Sequence, residues 1–296
     1  MIVLAFWGLT RSTQYTAASI EKRVFSQLPA PFVVFVHTYS SENVYENVRA
    51  NEKCSSLKPD VAGLRPYRVE VDDLDAVKSK LSLEQYRTQP DPWGTNYQTV
   101  DNFVLAMYSK QRVTEMVAES GLTPAKVIFL RPDVRYLSNI GKALAFARPD
   151  AWVVPDFHLI RGFNDRFCVA SPANYRVYGC VFHHLLPYSR RKPLHSESFY
   201  ADLAAAAGVK VVRAPFYFQR VRLTGETDPR DGSLLDETVH QVRHKRADAG
   251  HVHFDHGVVR DGARAAPICE TFALRPAHGI TFVRKPAGVV LFNVGV

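Results

Sequence analysis

Apolar residues fall along the chain in two kinds of run, continuous and helically spaced, and their alternation organises the first half. Ile2-Val3-Leu4-Ala5-Phe6 is an unbroken apolar stretch ended by Trp7-Gly8, the pattern of a buried strand entering a turn. From about Thr16 to Leu28 the spacing lengthens, placing Ile20, Val24 and Leu28 on one helical face, and Pro29 and Pro31 stop that helix. Phe32-Val33-Val34-Phe35-Val36 is continuous again, as a strand covered on both faces of a parallel sheet would be. His37-Thr38-Tyr39-Ser40 follows at its carboxyl end. A right-handed crossover sets two such strands parallel, and ligands of such sheets bind beyond the carboxyl ends of the strands. Gly8 to Thr13 and His37 to Ser40 are therefore expected on one functional rim.

Residues from about Val44 to Gly94 are less regular. Tyr67 to Val71 reads as a further strand, and Gln89 to Gly94 as a loop on its proline and glycine content. A long helix is expected from about Asn96 to Glu119, ended by Gly121 and Pro124. Lys126 to Leu130 is a strand that delivers Arg131-Pro132-Asp133 to its end, where Pro132 stops the pairing. A helix around Ile140 to Phe146, a strand over Ala151 to Val154 and an apolar run at Phe167 to Ala170 come next. An alanine-rich helix, Ser198 to Ala207, ends at Gly208 and precedes a strand at Val209 to Val212. Beyond Thr224, turn residues, histidines and arginines dominate, and Ile280 to Val283 and Val289 to Phe292 read as a terminal hairpin. A soft boundary is placed there, dividing a domain over 1–224 from an appendage over 225–296.

Composition changes this picture little. The 296 residues are 46% hydrophobic and 22% charged, ordinary globular values. No apolar run reaches membrane-spanning length, and Met1 to Leu9 lacks the basic start and cleavage site of a signal peptide. Cys54, Cys168, Cys180 and Cys269 are scattered without a C-x-x-C pair, which suits a reducing compartment. A soluble, cytoplasmic protein is expected. The net charge of +8 favours anionic partners, and Arg190-Arg191-Lys192 and Arg243 to Arg246 leave peripheral membrane contact open. No clustered basic helix or aromatic RNA-binding signature is present, so nucleic acid is not an expected partner. The nucleotide-binding, nucleophile-elbow and zincin motifs are absent too. His251, His253, Asp255 and His256 have no established metal-ligand spacing.

Several polar sets remain. Asp133 at a strand end suits a divalent metal or a sugar hydroxyl, and Arg131 suits a phosphate; a structural Arg–Asp pair is the alternative. Phe163-Asn164-Asp165-Arg166-Phe167 has polar groups between aromatics, the pattern of a loop that hydrogen-bonds a sugar while a ring packs on it, or of an Asx-turn. Glu197, in His195-Ser196-Glu197-Ser198, is either a first-turn acid favoured by the helix dipole or a general base. Arg220 and Arg222 share one side of an extended segment and could hold a diphosphate.

Taken in order, Phe6-Trp7-Gly8-Leu9-Thr10-Arg11-Ser12, Val36-His37-Thr38-Tyr39, Leu130-Arg131-Pro132-Asp133 and Asn164-Asp165-Arg166-Phe167 resemble a family of GT-A-type glycosyltransferases of polysaccharide-synthesis loci and large DNA viruses. The similarity spans about residues 1 to 225. It implies an α/β fold of Rossmann-like GT-A type, a mostly parallel central sheet flanked by helices, with a C-terminal β-containing appendage. It also implies a nucleotide-sugar donor and a glycan acceptor. Donor binding would fall to Gly8, Thr10, Arg11, His37, Thr38, Arg131, Asp133, Arg135, Arg220 and Arg222. Acceptor binding would fall to Phe163, Asn164 and Phe167. Glu197, or Asp165, would be the catalytic base, since many inverting members carry a carboxylate at a helix start with a glycine eleven residues later, as Glu197 and Gly208 stand here. Mn²⁺ or Mg²⁺ would sit at Asp133. The usual Asp-x-Asp is here Asp133-Val134-Arg135, so Arg135 is the alternative source of positive charge. Two other classes stay open: a non-catalytic nucleotide-sugar or glycan-binding protein, and a hydrolase of phosphorylated sugars.

Overall fold

The structure, a computed structural model, describes residues 1–232. The expected hairpin, the histidine cluster and Cys269 lie outside the described residues. From the N-terminus come β1 (Ile2–Trp7), α1 (Thr13–Arg23), β2 (Phe32–Ser40), a small hairpin of β3 (Tyr45–Asn47) and β4 (Glu52–Cys54), β5 (Arg68–Asp73), α2 (Leu74–Leu81) and α3 (Gln98–Glu119). Then follow β6 (Lys126–Leu130), β7 (Val134–Tyr136), α4 (Gly141–Leu144), β8 (Ala151–Pro155) and β9 (Cys168–Ala170). Helices α5 (Tyr175–Gly179), α6 (Phe182–Ser189) and α7 (Ser196–Ala206) lead to β10 (Lys210–Ala214) and β11 (Phe218–Arg220).

Seven strands form one sheet in the order β10-β8-β9-β6-β1-β2-β5. Its pairs are parallel except those of β9, which runs antiparallel to both β6 and β8. This is the expected mixed α/β architecture with a mostly parallel sheet flanked by helices. Every residue of β1 is buried because both faces are covered. Alternation divides them: Val3, Ala5 and Trp7 enter the core made with α3, α5, α6 and α7, while Ile2, Leu4 and Phe6 pack with Ile20 of α1 and Tyr136 of β7. Among the described residues no helix is long and apolar enough to cross a membrane.

Several boundaries depart from the sequence reading by a few residues, and one matters. Strand β2 does not end at Val36. It continues to Ser40 because its carboxyl half pairs with β5, from Phe35 against Arg68 to Ser40 against Asp73. His37 and Thr38 are thus interior sheet residues, not part of the rim. Helix α1 starts at Thr13 and ends at Arg23, with a separate 3₁₀ turn at Phe25–Gln27.

The reversed strand positions the site. Since β8 and β6 point the same way, the connection from Pro155 to Cys168 starts and finishes at the edge where β1 and β6 end. Asp165 is thereby brought round to the edge that carries Gly8 and Asp133. Past β10 the chain returns to the same edge, where β11 pairs antiparallel with β7 and the Val221 amide donates to the Asp133 carbonyl at 2.9 Å.

Candidate active site

A cavity of about 640 Å³ opens at this edge. Gly8, Arg11, Arg131, Asp133, Asp165, Arg220 and Arg222 all line it. Gly8 has φ +93°, and a Cβ there would stand 3.3 Å from the Arg131 guanidinium carbon, so the missing side chain lets Arg131 lie against the turn. The Gly8 amide is fixed by donating to Ser109 Oγ at 2.8 Å.

The guanidinium groups are held by carboxylates. Arg131 donates from Nε and Nη2 to the two oxygens of Asp133, at 2.9 and 2.6 Å, so the Arg–Asp pair and the cavity lining are one feature. Arg11 contacts Glu52 at 3.0 Å and Asp133 at 3.5 Å, and donates to the Tyr45 hydroxyl at 2.6 Å. Arg220 grips Asp231 and lies 3.3 Å from Asp228; Arg222 pairs with Asp228 and, at 3.7 Å, with Glu52. Despite burial, nearby arginines hold the carboxyl groups of Asp133 and Asp228 below the usual carboxylate range, and a hydrogen bond from His158, with Arg220 behind it, does the same for Asp231.

Asp165 shares the wall with this array. It is 5% exposed, its Oδ1 has no hydrogen-bond partner among the described residues, and it lines the cavity. Its backbone carbonyl is fixed by Lys110 Nζ at 3.0 Å and the Tyr178 hydroxyl at 2.7 Å. Lys110 is itself buried over the rings of Trp7, Tyr178 and Tyr200, 4.1–4.4 Å from their centroids. Burial pulls its pKa down to about 7. Trp7 Nε1, Arg11 Nε and Arg166 Nη1 are likewise buried without hydrogen bonds among the described residues, all on residues of the cavity wall. Buried polar atoms are nearly always paired, so this concentration marks where a polar ligand would dock.

Glu197 lies in the first turn of α7, capped by His195, with its side chain 3.2 Å from His195 Nε2 and 3.8 Å from Arg166. Burial, and secondarily the nearby Asp165 charge, raise its pKa to about 7 against the pull of Arg166. Its neighbours Ser196 and Arg166 reach the wall; Glu197 stands behind them.

Other sequence candidates lie elsewhere. His37, fully buried, bridges Ser109 Oγ at 2.8 Å and Asp72 at 3.2 Å. The hydroxyls of Thr10 and Thr38 face each other at 3.3 Å inside the fold. Arg135 sits in β7 opposite Gln219, off the cavity wall. Asn164 spends its side chain on Phe157 and Arg166 backbone, a local turn. Phe163 packs edge-on against Trp152, and Phe167 sits 4.3 Å from the Phe216 ring, both in the core. They anchor the Asp165 loop and offer no ring to an acceptor sugar.

The wall also holds residues that sequence reasoning passed over. Trp93, from the Gln89–Gly94 loop, stacks on His195 with ring centroids 5.8 Å apart, and Arg49 lies 5.3 Å from its ring. An aromatic residue in a loop beside Gly94 was the available signal.

A divalent cation at Asp133 does not fit this donor set. Both Asp133 oxygens accept from Arg131, and Arg11 adds a second positive charge beside them. His37, Glu70 and Asp72 do bring ligand atoms within 4.8 Å of one another. There, however, Glu70 is paired with Arg112 at 2.7 Å and Asp72 with His37, and none of the three lines the cavity.

No protein-family model matches the chain, and no curated protein matches it. Among solved structures it is similar to mouse xyloside xylosyltransferase 1 in its apo form, at 13% identity and TM-score 0.38, over 72% of this chain and 83% of that one. It is also similar to the apo-form glycosyltransferase GlyE of Streptococcus pneumoniae TIGR4, at 8% identity and TM-score 0.35, over 72% of this chain and 44% of that one. Both likenesses are distant, and the functional assignment rests on the cavity itself.

Proposed function

We propose that this chain is a glycosyltransferase that moves a sugar from a nucleotide-sugar donor to a hydroxyl of a glycan acceptor. One observation carries the reading: the wall of one cavity holds both an arginine array and Asp165, whose buried Oδ1 has no hydrogen-bond partner among the described residues. The arginines suit a departing nucleoside diphosphate, whose negative charge grows as the bond to the sugar breaks, and preorganised positive charge at that point is usually the largest catalytic term. Asp165 suits the acceptor end. Its Oδ1 takes the hydroxyl proton as the acceptor oxygen bonds to the anomeric carbon and the phosphate oxygen leaves with its electron pair. A single displacement of this kind inverts the anomeric centre.

Geometry ranks Asp165 ahead of Glu197 as base, because a base must reach the proton it removes. Glu197 then acts as a positioning residue through Arg166, which it pairs with at 3.8 Å. Trp93 supplies the cavity-wall aromatic surface that Phe163 and Phe167 do not.

A panel of nucleotide sugars, assayed for nucleoside diphosphate release with and without glycan acceptors, tests the proposal. At least one donor should turn over, and Asp165→Asn should lower kcat by about 10²–10⁴-fold, the usual contribution of a placed base. A wild-type chain that is stabilised by a donor yet never consumes it would be a binding protein instead.

A further inference from the structure

We infer that the anionic leaving group is held by Arg11, Arg131, Arg220 and Arg222 in place of a divalent cation, so that nucleoside diphosphate binding is independent of metal. The inference rests on the transferase reading and goes beyond it by assigning the positive charge of the site.

The arrangement is layered. The side chains of Glu52, Asp133, Asp228 and Asp231 are 2–3% exposed, whereas those of Arg11, Arg131, Arg220 and Arg222 are 6–19% exposed and line the cavity. Glu52, Asp228 and Asp231 stay off the cavity wall behind the guanidinium groups, and Asp133 reaches it beside Arg131. Asp133, Asp228 and Asp231 accept from arginine through both oxygens, and Glu52 accepts from the Leu223 amide through Oε1 while its Oε2 lies 3.0 Å from Arg11, so none offers a hard cation the free oxygen pair that it needs. A cation at Asp133 would also have to displace Arg131 and sit beside Arg11 against like charge.

The arginines, by contrast, keep donors in reserve. Arg131 spends Nε and Nη2 on Asp133, which leaves Nη1 to donate. Arg220 spends Nε and Nη2 on Asp231, which likewise leaves Nη1. Arg11 Nε is buried without a hydrogen bond among the described residues. A guanidinium locked from behind by a carboxylate is preorganised, and its planar fork matches phosphate oxygens. Asp228 and Asp231, just beyond residue 224, complete the set of acids behind the arginines.

Calorimetric titration of the full chain with UDP, GDP, CDP and ADP, each in EDTA and again with excess Mn²⁺, decides the matter. At least one nucleoside diphosphate should bind in EDTA, with Mn²⁺ changing its Kd by less than about five-fold, about 1 kcal/mol. Arg131→Gln should weaken that binding by about ten-fold or more, the worth of a charge-assisted hydrogen bond. Arg222→Gln serves the same purpose should Arg131→Gln fail to fold, as judged by its melting transition. Binding strengthened about five-fold or more by Mn²⁺ would overturn the inference and leave the transferase reading standing. Metal-free binding indifferent to both substitutions would overturn the arginine assignment. No binding in either buffer would overturn the transferase reading, and this inference with it.

Discussion

Glu197 shows what burial does to a single side chain. Its carboxyl titrates near pH 7 against an ordinary value of 4.5, chiefly because the charged form loses solvation. Between those values the folded chain keeps a proton that the unfolded chain has released. Stability from this group is therefore full below about pH 4.5 and declines as pH rises through 7. Glu197→Gln should flatten that slope in denaturant unfolding followed across the same window. Because Glu197 ionises near pH 7 beside Arg166, which lines the cavity, the wild-type rate should vary with pH through 7, and the variant should lose that dependence while keeping turnover. If Glu197→Gln instead matched Asp165→Asn in its loss of kcat, Glu197 would be the base. Residue-scale chemistry was partly legible in the chain: Arg131, Asp133, Asp165, Arg220 and Arg222 follow strands or loops that read clearly. Phe163 and Phe167 misled because aromatics around Asn-Asp-Arg have the same pattern whether they hold a sugar or anchor a loop.

At the scale of elements, the loop before β9 depends on Gly162. A Cβ there would fall 2.0 Å from the Glu197 carbonyl oxygen, a backbone atom that cannot yield. The close approach ties the Asp165 loop to the start of α7, so two carboxylates distant in sequence share one neighbourhood. Gly162→Ala should destabilise the chain by about 1–3 kcal/mol, as overpacking does, and lower kcat because Asp165 moves. Guanidinium unfolding and the release assay check both, and an unchanged midpoint would show that the loop is not pinned there. Strands with continuous apolar runs, β1, β6 and β8, were legible because both faces are buried. The carboxyl half of β2 was not, since His37 and Thr38 are polar and their place inside the sheet comes from pairing with β5. Helices α5 and α6 were missed as well. Pro187 inside α6 interrupts the helical pattern that would have revealed it.

For the whole molecule, function rests on convergence. Arg11 follows β1, Asp133 follows β6, Asp165 precedes β9 and Arg222 follows β11, yet all line one cavity, because the ends of β1 and β6 and the start of β9 share one edge of the sheet and the pairing of β11 with β7 brings Arg222 there. The edge itself could be read from strand–helix–strand order. The reversal of β9, and the pairing of the arginines with Glu52, Asp228 and Asp231, could not, because both are set by contacts between segments far apart in the chain. The most direct test is a crystal structure of the chain grown with the nucleoside diphosphate that binds it. Its phosphates should contact Arg131 and at least one of Arg11, Arg220 and Arg222, with the terminal phosphate on the side of Asp165. A nucleotide bound away from this cavity, or turned so that its base occupies the arginine array, would contradict that placement.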